Sequence, residues 1–373
     1  MVRTCCAAAL AWAAAALAAP PADLAADIAA LAKPGPDPAV TRAAWDRVTA
    51  AGAPVLLPLL AAWPDEDPVA GHWLRTAFDH IAKAHPAKLP EKDLLAFAAN
   101  DKANGKARRA ALAALERARP GTAARFLAER LNDTEFGPDA VAERIAAADA
   151  LSDPAAQAKL LRDTFAAATD LEQSLLLAKR LAGTGDAPDL FAHFGAVRHW
   201  RAVGPFPVSP EDGLAKSFPP ETKLDFAAEY DGKAGKLKWA RATADPGDAK
   251  LDVAKYGIKP DDGAVCYATA TIKLSAATKA EVRASAVDNV TVWVNGAKVL
   301  ERASEYRSMF RPDRYRAAVD LPAGESVVLV KLTKTKAEEV RGKPGAPVRW
   351  DALVRFVSPA TGRAVPFTQP EGK

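Results

Sequence analysis

Between residues 22 and 195 apolar side chains recur every three or four positions, the period of a helix with one buried face. Val40, Trp45 and Val48 open one stripe, Val55, Leu56, Leu59 and Leu60 form the next, and Trp73, Ala77, Phe78 and Ile81 continue the pattern. Breakers stand between the stripes, among them Gly52, Pro64, Pro90, Asn104-Gly105, Pro120-Gly121, Gly137-Pro138 and Asp153-Pro154. The spacing predicts roughly ten helices of about 10–15 residues with short corners, an array rather than a bundle with long crossovers. Alanine-rich helices approach closely but bury little each, so neighbours in such an array must share a core.

Near residue 196 the period falls to two. Val290, Val292 and Val294 alternate with Thr291 and Trp293, and Asn295-Gly296 then leads into AKVL. That order predicts a hairpin, because Asn-Gly accepts the positive φ angles of a tight turn. Further strands are expected at 197–203, 237–243, 265–274, 281–287, 315–321, 326–332 and 348–357. The fold class is therefore α followed by antiparallel β, with a helical domain over 19–195 and a two-sheet sandwich of jelly-roll type over 196–373. The junction FGAVRHWRAVGPFP carries Trp200, read as packing, with a ligand platform as the alternative.

The first residues, MVRTCCAAALAWAAAALAAP, place Arg3 before an apolar run ending in Ala16-Leu17-Ala18. They read as an export signal over 1–18, with a mature chain starting near Ala19 in the periplasm or outside the cell. Removal of Cys5 and Cys6 would leave Cys266 as the only thiol, expected to be buried and inert. No apolar run is long enough for a transmembrane helix.

Charge narrows the function further. Fifty Lys+Arg against 46 Asp+Glu give a net charge of +4, too small to indicate nucleic acid. The division is uneven: residues 19–195 hold 20 basic against 24 acidic side chains, and 196–373 hold 29 against 22. All five histidines precede residue 200, so the second half cannot build a histidine metal site or a Ser-His-Asp triad alone. GxSxG, HExxH, a Walker loop and a dinucleotide fingerprint are all missing.

Candidate binding residues lie in the second half. Asp288, Asn289 and Trp293 combine a carboxylate, an amide and an aromatic face, the set a sugar needs; a turn followed by a core Trp is the competing reading. The stretch 301–316, ERASEYRSMFRPDRYR, offers Arg307, Arg311 and Arg314 to uronate, sulfate or phosphate, unless local Glu301, Glu305 and Asp313 pair with them. No cofactor is expected; calcium would have to use DPGDAKLD at 245–252 with Asp261-Asp262, whose spacing does not match an EF-hand.

The pieces TRAAWDRVTAAGAPVLLPLLAAW and KARRAALAALERARPGTAARFLAERLND resemble HEAT-type helix pairs. HFGAVRHWRAVGPFP, EDGLAKSFPPE, KLKWARATADPGDAKLDVAKYG and VTVWVNGAKV together resemble an exported bacterial family of uncharacterised proteins, in which HEAT-like repeats precede a galactose-binding-like jelly roll. SAVDNVTVWVNGAKVLERA with AAVDLPAGESVVLVKLT is similar to the core of carbohydrate-binding sandwich modules. The resemblance implies a non-catalytic protein that touches a glycan or envelope polysaccharide through its sandwich and a protein through its repeats. A purely structural protein–protein adaptor and a glycoside hydrolase with paired carboxylates are the competing readings.

Overall fold

The computed structural model describes residues 24–209, 211–212, 214–259, 263–287, 289–303, 310–334 and 350–370. The leader over 1–18, Asp261-Asp262, Asp288 and Arg307 lie outside the described residues. The chain forms two compact units, one ending at Phe136 and one beginning at Gly137. Helix gives way to strand later, between Phe194 and His199.

The first unit is helical: α1 (Ala25–Ala32), α2 (Pro38–Ala51), α3 (Leu56–Ala61), α4 (Pro68–Ala84), α5 (Glu91–Ala99), α6 (Gly105–Ala118) and α7 (Thr122–Leu127). Asp-Pro pairs set two of the starts. Asp37 accepts the Ala39 N–H and Asp67 those of Val69 and Ala70, while the following proline needs no donor at that position. Leu74, Ala77, Phe78 and Ile81 form the buried stripe of α4. One charge enters this core: Arg108 is buried, donates from Nε to the Ala98 carbonyl at 2.8 Å and pairs with Asp133.

The second unit opens with α8 (Gly137–Asp149), α9 (Pro154–Ala167), α10 (Leu171–Gly183) and α11 (Leu190–Phe194). Its strands are β1 (His199–Pro207), β2 (Tyr230–Gly232), β3 (Gly235–Leu237), β4 (Ala240–Thr243), β5 (Leu251–Asp252), β6 (Ala264–Leu274), β7 (Thr278–Ala286), β8 (Asn289–Val294), β9 (Ala297–Arg302), β10 (Tyr315–Leu321), β11 (Gly324–Lys334) and β12 (Asp351–Val357). They pair antiparallel in a six-stranded sheet, β4-β1-β6-β11-β8-β9, a four-stranded sheet, β10-β7-β12-β5, and a β2-β3 ribbon. The Asn-Gly hairpin joins β8 to β9, with φ of 51° at Asn295 and 80° at Gly296. The Asn295 side chain also accepts the Val327 N–H at 2.8 Å, which fixes the turn against β11.

Alternation gives the six-stranded sheet two unlike faces. Val290, Val292, Val294, Val328, Val330 and Leu332 make one wholly buried face. The other carries Arg201, Val203, Tyr267, Thr269, Leu329, Lys331 and Trp293. A bulge between Val203 and Phe206 keeps both side chains on that second face, where they join a core with Tyr267, Val265 and Trp239. Gly204 at the bulge has no room for a side chain, since a Cβ would lie 2.8 Å from that of Cys266.

Candidate functional site

The second face of the six-stranded sheet is divided between a covered part and an open part. Residues 208–239 leave the sheet after β1 and return to it at β4, and Phe218, Leu224, Tyr230 and Leu237 pack down onto Val203, Phe206 and Tyr267. A buried polar cluster pins this excursion. Lys331, 2% exposed, donates from Nζ to the Leu214 carbonyl at 3.1 Å, to the Lys216 carbonyl at 2.5 Å and to Glu221 Oε1 at 2.8 Å. Tyr267 also donates to Glu221, and Ser217 reaches its other oxygen at 3.0 Å. Burial opposes ionisation of Glu221, but Lys331 and Tyr267 outweigh it and hold the carboxyl below its usual range. Burial and the Glu221 charge push the Tyr267 phenol above its own. With its three N–H groups engaged, Lys331 is an anchor rather than a reactive amine.

Beside this excursion the same face is open. The hollow there has a volume of about 1030 Å³, and its lining comes from four adjoining strands, the excursion and the C-terminal tail. Register builds its floor from the first three members of one cross-strand row. Arg241, Arg201, Thr269, Leu329 and Trp293 are successive cross-strand partners from β4 through β1, β6 and β11 to β8. At roughly 4.8 Å per strand this row is about 19 Å long. A second row holds Thr243 opposite His199, and Thr271 opposite Val327. Leu224 and Phe226 form a wall, and Gln369 is held at the rim by hydrogen bonds to the Arg198 and His199 backbone.

Phe226 is 48% exposed, an unusual state for a phenylalanine at the edge of a core. The Arg201 guanidinium lies 4.8 Å from its ring centre, and Trp239 meets it edge-on at 5.5 Å. The hollow thus offers an apolar ring, two guanidinium groups, an imidazole, the hydroxyls of Thr243 and Thr271 and an amide. That chemistry suits a ligand with both apolar C–H surface and oxygen acceptors.

The residues singled out in the sequence are scattered. Trp293 is half-buried at the far end of that row, outside the lining of the hollow, and packs against the Val203–Tyr267 core. Asn289 is buried and donates to the Thr333 carbonyl at 3.1 Å. Arg311 is exposed, and the Arg314 guanidinium lies 5.1 Å over the Tyr315 ring. Neither arginine lines the hollow. Asp313 between them turns inward, where Arg355 binds it through two N–H groups and Arg283 Nη1 donates at 3.0 Å. Burial would raise its pKa, yet the two arginines dominate and keep the carboxyl below the ordinary range.

Trp200 is buried, with its indole N–H on the Val197 carbonyl at 3.0 Å. Asp245 accepts the Gly247 N–H and pairs with Lys255, Asp248 accepts the Lys250 N–H, and Asp252 accepts from Ala254 and Trp350. These acids of the calcium candidate stabilise their own turns, and among the described residues no group of three or more potential metal ligands comes together. Burial pushes the Cys266 thiol well up.

No protein family and no curated protein matches the chain. Solved structures give distant matches. An anti-sigma factor domain-containing protein from Clostridium clariflavum is 13% identical over 48% of this chain and 48% of its own, with a TM-score of 0.24. A family 35 carbohydrate binding module from an environmental isolate is 12% identical over 31% of this chain and 77% of its own, at 0.19. A beta-glucosidase from Kluyveromyces marxianus in complex with glucose is 8% identical over 45% of this chain and 17% of its own, at 0.22. The chain therefore spans about half of the first of these proteins and a sixth of the last.

Proposed function

We propose that the protein is a non-catalytic, exported binding protein that holds a glycan in the hollow on its six-stranded sheet. The reading takes residues 196–373 as a jelly-roll, galactose-binding-like sandwich and the helices before them as HEAT-like pairs that carry a protein contact. One observation supports it above the others: the exposed Phe226 ring stands in a hollow with Arg201, Arg241, Thr243 and Thr271. A sugar has an apolar face for such a ring and hydroxyls for donors on either side. No cofactor is needed for binding of this kind.

A glycan array probed with the full chain and with Phe226→Ala tests the reading. Retention of one glycan class by the natural protein, lost in the variant with its melting temperature unchanged, is the expected result. Failure across neutral, acidic and sulfated glycans leaves the protein as an adaptor between proteins. Turnover of a bound glycan, abolished by a single carboxylate substitution, would instead make it a hydrolase.

A further inference from the structure

Among the described residues after position 200, Phe226 and Val327 are the large apolar side chains left exposed, and both line the hollow. They stand well apart. Phe226 lies over Arg201 on β1, and Val327 is on β11, two strands further across the sheet, or about 10 Å. The hollow between and beyond them is a trough. Leu224 and Phe226 flank one side, on the excursion that Lys331 anchors, and Gln369 and Pro370 of the tail flank the other. The tail is fixed as firmly. Gln369 accepts the Arg198 and His199 N–H groups at 2.7 and 3.0 Å and donates to the His199 carbonyl at 3.0 Å, while Thr368 exchanges two backbone hydrogen bonds with Lys273. Arg201 and His199 are two residues apart along β1, which sets the flanks about 7 Å apart. The floor crosses β4, β1, β6 and β11, about 14 Å, and among the described residues nothing beyond β4 or β11 lines it.

We propose that the hollow takes an unbranched stretch from the interior of an extended glycan chain, lying across the strands from β4 to β11. The inference rests on the glycan reading of the hollow and adds the shape of its ligand. One sugar stacked on Phe226 cannot also cover Val327, so a ligand that buries both apolar side chains is longer than a single ring. Thr271, the partner of Val327, and Thr243 on β4 offer hydroxyls at the two ends of that path. The flanks leave the width of one chain, and a branch on a sugar inside the trough would meet the excursion or the tail.

Affinity electrophoresis of the full chain tests this, in gels containing mixed-linkage β-glucan, glucomannan or alginate as unbranched chains and xyloglucan or galactomannan as branched ones. The expected result is retardation by an unbranched chain and weaker retardation by the branched polymers. Oligosaccharides cut from the retarding polymer should release the protein, the hexasaccharide at a concentration about tenfold below the disaccharide, and the monosaccharide not at all. Val327 is 37% exposed, so Val327→Asp should leave the melting temperature where it is. It should remove the advantage of the hexasaccharide and leave release by the disaccharide unchanged, because the shorter ligand sits at Phe226. Release by the monosaccharide as readily as by the hexasaccharide, or equal retardation by branched and unbranched chains, would overturn the inference and leave the glycan reading standing. A length advantage that survives Val327→Asp would overturn the path across the strands. No retardation in any gel would overturn both readings.

Discussion

Asp313→Asn isolates the charge that holds Arg283 and Arg355 together. Asp313 sits at φ 51°, a left-handed conformation that asparagine also tolerates, so the backbone is left undisturbed. What changes is electrostatic. The Arg355 side chain is 2% exposed and that of Asp313 12%, and the variant removes the carboxylate shared by the two guanidinium groups that face each other across β7 and β12, leaving Glu281 on Arg283. Removing one partner of a buried ion pair costs about 3–5 kcal/mol, and Arg283, less deeply buried, brings the expectation to the lower end. At about 3 kcal/mol, the melting transition of the second unit should fall by roughly 6–12 °C. Circular dichroism melts of the full chain at pH 7 measure this. Because the Asp313 pKa is depressed on folding, its contribution is complete above about pH 3.9 and is lost as the pH falls through the folded value. The gap between natural protein and variant should therefore narrow in acid. A variant that melts within about 1 kcal/mol of the natural protein, or a gap that widens on acidification, would refute the reasoning.

Two further outcomes follow from buried groups. His193 is stacked 4.0 Å from Phe165, and burial lowers its pKa to about 4; stability is complete above the unfolded value of about 6.5 and declines as the pH falls toward 4. The loss should be about 2 kcal/mol after allowing for the part-exposed ring, and urea titrations at pH 7 and 4.5 should show His193→Phe with a smaller decline. Lys331→Met should free residues 209–239 to early proteolysis and cost about 3 kcal/mol, because Glu221 keeps a buried charge without its cation. Adding Glu221→Gln should recover part of that loss, and full additivity of the two changes would count against the anchor.

The division into a helical part followed by antiparallel strands was legible because its signals are local. Period two around Val290–Val294, the Asn-Gly turn and the strand at 315–321 all reappear in place, and the Asp153-Pro154 breaker caps α9. The expected strand at 237–243 divides instead between the end of β3 and β4, with Trp239 turned into the core between them. The hollow was not legible, since it depends on which strands become neighbours. Arg201 and Arg241 lie 40 positions apart and meet only because β4 returns to pair with β1. The sequence carried half of that signal: His199 and Arg201 alternate with Trp200 and Ala202, which marks one face of β1 as polar. Trp293 offers the aromatic face a sugar needs, yet its place in the row is set by β11, which separates β8 from β6. The arginine-rich stretch offers its guanidinium groups to an acidic ligand or to its own local acids, whereas Asp313 within it is bound by two arginines from distant strands.

Hydroxyl-radical footprinting of the full chain, with and without an oligosaccharide of the class retained on the glycan array, tests the central claim most directly. Phe226, 48% exposed, should be oxidised readily in the free protein. The account predicts that saturating oligosaccharide protects Phe226 several-fold while Tyr315, beside the arginine-rich stretch, keeps its rate. Protection of Tyr315 with Phe226 unchanged would contradict the account and move the site to the other sheet.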